Sequence, residues 1–267
     1  MRDGGTSGFV DVDGVALYWE SHGDAGVPLV VLHGGFGSAA SMAPLVERLA
    51  DTRQVVALEL RGHGHSGDDD RPFSFGGLGD DVAAVVTALL PHAGPVDLLG
   101  YSLGGGVALA TAFGHPGMLR RLVVVSYPFR ATGWFPGVRA GQAALSAAML
   151  EQMRPSPAFT HYAAVAPEPA RFATLMDKTR DLVAADYDWS AEVAALSVPT
   201  LVVLGDCDAI APAHAAEFFA LLGGGLADPG WDGGRATDSA LAVLPGRTHY
   251  DIVAAPDLAG AVAAFTA

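Results

Sequence analysis

Ser102 stands in the run Leu98-Leu99-Gly100-Tyr101-Ser102-Leu103-Gly104-Gly105-Gly106, with glycine two residues to either side. Val96 to Leu99 are mostly apolar, and the Ala/Leu-rich stretch from Val107 reads as a helix. The pattern predicts a strand, a sharp turn carrying the serine, and a helix. At Gly100 or Gly104 a β-carbon would strike a neighbouring element. Such a turn exposes the hydroxyl above helix N–H groups that favour negative charge. A serine hydroxyl is a poor nucleophile near neutral pH, so it needs a base beside it and an acid to orient that base. The chemistry to look for is acyl transfer.

On a turn of this kind the acid and the base follow the serine in chain order. His249, in Pro245-Gly246-Arg247-Thr248-His249-Tyr250, is expected five residues beyond a strand ending at Leu244 and is the best base. His22, His92, His115 and His214 read as surface residues, and His161 could only approach from above. For the acid, Asp206 and Asp208 both follow an apolar strand ending at Gly205. Asp206 suits organising the turn, whereas Asp208 has room to reach the imidazole and is favoured. Oxyanion donors are expected from the Leu103 N–H and from the loop His33-Gly34-Gly35-Phe36, with Gly35 first and Phe36 the alternative. His33 reads as a brace for that loop.

These groups need a scaffold that brings strand ends together. Phe9–Val12 and Val15–Glu20 read as a hairpin about Asp13-Gly14. Leu29–Leu32, Val55–Leu58, Leu122–Val125, Thr200–Gly205 and Leu241–Leu244 are apolar runs suited to a parallel sheet buried on both faces. Helices are expected at Ser41–Ala50, Leu78–Leu90, Ala213–Leu222 and Pro256–Phe265. The alternation predicts βαβ units in a mostly parallel sheet, with ligands at the carboxyl ends of the strands. It breaks from Tyr127 to Glu192, where Val138–Met153 and Pro169–Ala185 look helical. That divides the chain into a core of 1–126 and 193–267 and a helical cap of 127–192. Gly223–Asp238, with Trp231, reads as a long surface loop.

The 267 residues are 51% apolar with a formal charge of −14, which argues against nucleic acid or an anionic membrane as partner. Asp68-Asp69-Asp70 reads as a solvated turn rather than a cation site. No apolar run approaches the roughly 20 residues of a membrane span, and Met1–Ser7 lacks the apolar stretch of a secretory signal. The single cysteine, Cys207, excludes a disulfide framework within the chain, and a reducing cytoplasm is the simple expectation. The expected partner is a small apolar or moderately polar acyl substrate, met by a monomer or homodimer.

The stretches His33-Gly34-Gly35, Arg61-Gly62-His63-Gly64-His65-Ser66, Gly100-Tyr101-Ser102-Leu103-Gly104-Gly105, Gly205-Asp206-Cys207-Asp208 and Gly246-Arg247-Thr248-His249 together resemble the α/β-hydrolase superfamily, in its capped branch. The resemblance implies an α/β fold, a mostly parallel eight-stranded sheet flanked by helices with a helical cap insertion. It implies Ser102, Asp208 and His249 as the triad, Gly35 and Leu103 as the oxyanion hole, and no metal or organic cofactor. Two positions depart from the family pattern. Glu59 stands where aspartate is usual and could anchor the following loop equally well, and Thr248 replaces a frequent glycine before the histidine. Members with an aspartate nucleophile open epoxides or displace halide; Ser102 implies instead an acyl-serine path on esters, thioesters or lactones. The alternatives are carbon–carbon bond hydrolysis or perhydrolysis with the same triad, or a non-catalytic ligand-binding protein. Tyr127, Trp134, Phe159 and Tyr250 are the candidate substrate contacts.

Overall fold

The computed structural model describes residues 5–228, 230, 231, 234 and 237–267. Strands β1 (Thr6–Val12) and β2 (Val15–His22) pair antiparallel. The turn between them has positive φ at both Asp13 and Gly14, as a two-residue hairpin turn requires. There follow β3 (Leu29–Leu32), α1 (Ala39–Leu49), β4 (Val55–Leu58), α2 (Phe75–Leu89), β5 (Val96–Tyr101), α3 (Leu103–Gly114) and β6 (Leu119–Val125). The helical insertion holds α4 (Pro136–Ala144), α5 (Leu150–Met153), α6 (Pro157–Val165), α7 (Phe172–Ala184) and α8 (Ser190–Ala194). The sheet resumes with β7 (Thr200–Cys207), α9 (Pro212–Leu221), β8 (Ala240–Thr248) and α10 (Pro256–Phe265).

Strand order is β1-β2-β4-β3-β5-β6-β7-β8, parallel from β4 through β8. Alternate residues of the central strands feed two cores, as the two-residue period of a strand dictates. Leu29, Val31, Leu99, Val123 and Val203 pack with α1 and α10. Val30, Leu32, Leu98, Val124 and Val202 pack with α2, α3 and α9. The buried Asp97 carboxylate takes Arg53 at 2.5 Å and Arg120 at 2.7 and 2.9 Å.

Several boundaries differ from those expected, each for a tertiary reason. Helix α3 starts at Leu103, not Val107, because its glycines serve close packing rather than helix propensity. Strands β7 and β8 run past Gly205 and Leu244 to Cys207 and Thr248, which pair with each other. His249 therefore follows its strand directly instead of ending a five-residue loop. The helix expected over Val138–Met153 is broken: Leu145 and Ser146 are extended, and the Ala147 N–H donates to Asp177 of α7 at 3.0 Å. Helix α6 lies where none was expected. Ser156 caps it by accepting from the Phe159 N–H at 3.2 Å, and Pro157 occupies its first turn. Of the loop at Gly223–Asp238, positions 229, 232, 233, 235 and 236 lie outside the described residues; its described members belong to neither helix nor strand.

Two surface expectations are corrected by the docking of the insertion. The Asp68 side chain is only 5% exposed and takes Lys178 at 2.8 Å and Arg171 at 3.1 Å. Asp69 pairs with Arg61 and Arg71. The acidic run is thus an ion-pair clasp between the loop after β4 and the insertion. His214 is buried beneath the segment after β6, with its ring stacked on Phe129 at 4.3 Å.

Burial pushes His33 down to about 3, and His63 and His214 each to about 4, outweighing the upward pull of Asp68 on His63 and of Glu217 and Asp188 on His214. All three are neutral in the folded protein at pH 6, while the unfolded chain protonates near 6.5. Their contribution is therefore complete above that value and is lost as pH falls toward 4 or 3. Burial raises Glu59 and Asp81, which act with the opposite sign. A His214→Phe variant isolates one histidine. Its urea-derived stability should fall less steeply between pH 6 and 5 than that of the parent protein, by about 1.4 kcal/mol per pH unit. Equal slopes would show that His214 is not held neutral.

Candidate active site

The nucleophile turn is sterically determined. A Cβ on Gly100 would run into the carbonyl of Gly104, and one on Gly104 would lie 2.5 Å from the His33 oxygen. Between them Ser102 adopts φ 51° and ψ −123°, a conformation that costs a non-glycine residue about 1–3 kcal/mol. Its N–H donates to Val125 at 2.9 Å and its carbonyl accepts from Gly105 at 2.7 Å, which holds the strained residue in place.

Register delivers the other two groups. Because Cys207 pairs with Thr248 across the parallel strands, Asp208 and His249 leave the sheet side by side. His249 Nδ1 lies 2.9 Å from Asp208 Oδ1, and Nε2 lies 3.0 Å from Ser102 Oγ. The ionised carboxylate accepts at Nδ1–H, which leaves Nε2 to accept the serine proton. Asp206 is elsewhere: it is exposed and accepts the Gly246 N–H at 2.7 Å, tying β7 to β8. Burial works to raise Asp208, but hydrogen bonds from His249, from Ser126 Oγ at 2.5 Å and from the Gly205 N–H at 3.2 Å outweigh it and hold the acid below its ordinary value.

Two of these supports were not among the expected site residues. Ser126 ends the apolar run of β6 at the same sheet edge, and a lone polar residue at that point is the signal that was available. Tyr101, between Gly100 and Ser102, donates its hydroxyl to the His249 carbonyl at 2.5 Å and so fixes the loop carrying His249. Thr248 turns that loop by donating from its N–H and hydroxyl to Asp251 at 2.7 and 2.8 Å.

Gly35 faces Leu103: a Cβ on the glycine would lie 3.8 Å from Leu103 Cδ2. Among the described residues neither N–H donates to a protein acceptor, and neither does that of Phe36, which has φ 58°. The loop is braced from beneath by His33, which accepts from the Leu60 N–H at 3.1 Å through Nε2 and so donates through Nδ1 to Gly34 at 2.7 Å. Glu59 anchors both flanking segments, accepting from Ala39 at 3.0 Å and His65 at 2.5 Å. Trp134 lies edge-on to the His249 ring at 5.7 Å, and Tyr250 is beside it at 5.4 Å but 87% exposed. Tyr127 is buried in an aromatic cluster with Phe75, Trp134, Tyr187 and Trp189. Phe159 is farther out, lining a cavity of about 320 Å³ in the insertion with Leu150, Arg154, Ala163, Pro169 and Phe172.

Residues 29–263 match the profile of the alpha/beta hydrolase family. The chain belongs to that family. It is 28% identical over 224 residues to a putative carbamate hydrolase, RutD, of Azorhizobium caulinodans, a match covering 76% of this chain and 82% of that one. It is 37% identical over 111 residues to the sn-1-specific diacylglycerol lipase ABHD11 of Danio rerio, covering 40% of this chain and only 33% of the lipase. Among solved structures, E-2-(acetamidomethylene)succinate hydrolase superposes with a TM-score of 0.73 at 22% identity, over 98% of this chain and 99% of that one, a likeness of fold. Together with a serine, histidine and carboxylate in hydrogen-bond series, family membership makes this α/β-hydrolase a serine-dependent hydrolase. No helix among the described residues is long and apolar enough to cross a membrane.

Proposed function

We propose that the protein hydrolyses small esters, thioesters or lactones through an acyl-serine intermediate formed on Ser102. The observation that carries this is the unbroken series from Ser102 Oγ through the His249 ring to Asp208. In this reading Ser102 Oγ bonds to the substrate carbonyl carbon while its proton passes to His249 Nε2. The N–H groups of Leu103 and Gly35, with Phe36 as the alternative to Gly35, receive the developing oxyanion. The imidazolium, steadied by Asp208, protonates the leaving group as its bond to carbon breaks. Water then enters by the reverse roles and releases the acid. Relatives described as a putative carbamate hydrolase and a diacylglycerol lipase support cleavage of a carbonyl–heteroatom bond.

Residues 127–192 act as a cap in this proposal, with Trp134 and Tyr250 flanking the base. Tyr127 belongs to the aromatic cluster that supports Trp134. The cavity beside Phe159 holds the distal end of the acyl chain; Phe172 lines it and its ring lies 5.8 Å from that of Phe36 in the oxyanion loop. The single cysteine supports a cytoplasmic enzyme, and either a monomer or a homodimer is compatible with a site built from one chain.

Turnover of aryl esters of rising acyl length, beside a β-diketone, tests the substrate class: the esters should be cleaved and the diketone not. Faster turnover of the diketone would replace ester hydrolysis with carbon–carbon cleavage. Phe159→Ala should shift the preferred acyl length upward, since one methylene in an apolar pocket changes discrimination by about 1–3 kcal/mol. A uniform fall across the series would mean that Phe159 only packs the cap.

A further inference from the structure

Thr179 is 97% buried by residue, being 3% exposed, and its hydroxyl is the only buried side-chain hydroxyl without a hydrogen-bond partner among the described residues. It sits on α7, the cap helix that Lys178 clasps to the core. A threonine inside a helix ordinarily returns its hydroxyl to the carbonyl four residues back. Thr87 does so to Ala83 at 2.8 Å and Thr111 to Val107 at 2.9 Å. Thr179 does not, although withholding a buried hydroxyl from any partner is unfavourable. Thr179 stands beside the Gly35 loop. Thr179 Cγ2 lies 3.9 Å from where a Cβ on Gly35 would stand, on a glycine whose other neighbour is Leu103. It is the threonine methyl that faces the glycine, and Gly35 itself is exposed.

We propose that Thr179 is a specificity-determining residue whose hydroxyl donates to an oxygen on the acyl group, within two or three atoms of the scissile carbonyl. This rests on the acyl-serine reading above and adds a preference for alkoxy- or hydroxyacyl substrates over plain alkanoyl ones. An oxygen at that distance enters between α7 and the Gly35 loop and satisfies the unpaired hydroxyl. A methylene in its place leaves the hydroxyl buried and alone, so the discrimination is larger than contact area alone supplies. No charge is available to substitute for it on α7: Lys178 and Arg180 are engaged with Asp68, Asp177 and Asp181.

The test uses 4-nitrophenyl butanoate, methoxyacetate and 3-hydroxybutanoate, which differ by one oxygen at nearly constant size. The wild-type protein should prefer at least one oxygenated ester, measured as a ratio of kcat/KM to butanoate. Thr179→Val, which keeps the shape, should lower that ratio about tenfold, and Thr179→Ser should restore most of it. An unchanged ratio in Thr179→Val, or an equal fall on all three esters, would overturn the proposal. Labelling of Ser102 by an aryl phosphonate in the wild-type protein separates the two levels. Without labelling, the acyl-serine reading itself fails; with labelling but no change in ratio, only the role of Thr179 fails.

Discussion

Ser102→Ala is expected to lower ester turnover at least about 10³-fold while leaving the fold intact, because serine-triad knockouts cost that much or more. The substitution removes the hydroxyl that lies 3.0 Å from His249 Nε2 and leaves the Leu103 and Gly35 N–H groups in place. Relief of the strained backbone at φ 51° is a further consequence only if the alanine relaxes. A thermal transition no lower than that of the parent would show that the loss is chemical. A folded Ser102→Ala protein with parental activity would remove Ser102 from the reaction.

The second large effect separates two carboxylates only two residues apart. Asp208→Asn should cost about 10⁴-fold, since an amide beside Nδ1 favours the wrong imidazole tautomer and cannot support the imidazolium. Asp206→Asn should cost far less. Its carboxylate accepts the Gly246 N–H at the exposed edge of β7 and β8, and an asparagine oxygen can still accept that bond. Steady-state rates of both variants on one aryl ester decide the matter. If Asp206→Asn inactivates and Asp208→Asn does not, with both folded, the assignment of the acid is wrong.

The parts of the molecule that were readable in advance are those governed by local sterics. Gly100 and Gly104 announce the nucleophile turn because the space they leave is filled by backbone in any version of it. The central strands are legible because a sheet covered on both faces needs unbroken apolar runs, such as Leu29–Leu32 and Val55–Leu58. Long-range docking was not readable in the same way. Asp68 looks solvated until Lys178, 110 positions later in the chain, arrives to neutralise it. His214 looks like a surface histidine until Phe129 covers it. The break after Ala144 depends on Asp177 of α7 capturing the Ala147 N–H. Between Asp206 and Asp208, chain order alone was indecisive; the pairing of Cys207 with Thr248 is what brings Asp208 and not Asp206 to the imidazole. A lone serine after a strand is common, and the value of Ser126 lies only in the carboxylate it meets.

An intact-mass measurement after exposure to an aryl phosphonate tests the nucleophilicity of the Ser102 hydroxyl most directly. The wild-type protein should gain one phosphonyl group, mapped by peptide sequencing to Ser102, with ester turnover falling in step. Ser102→Ala should gain none, and Asp208→Asn should react far more slowly. Stoichiometric loss of activity with the label on any other residue, or full labelling of Ser102→Ala, would contradict the mechanism.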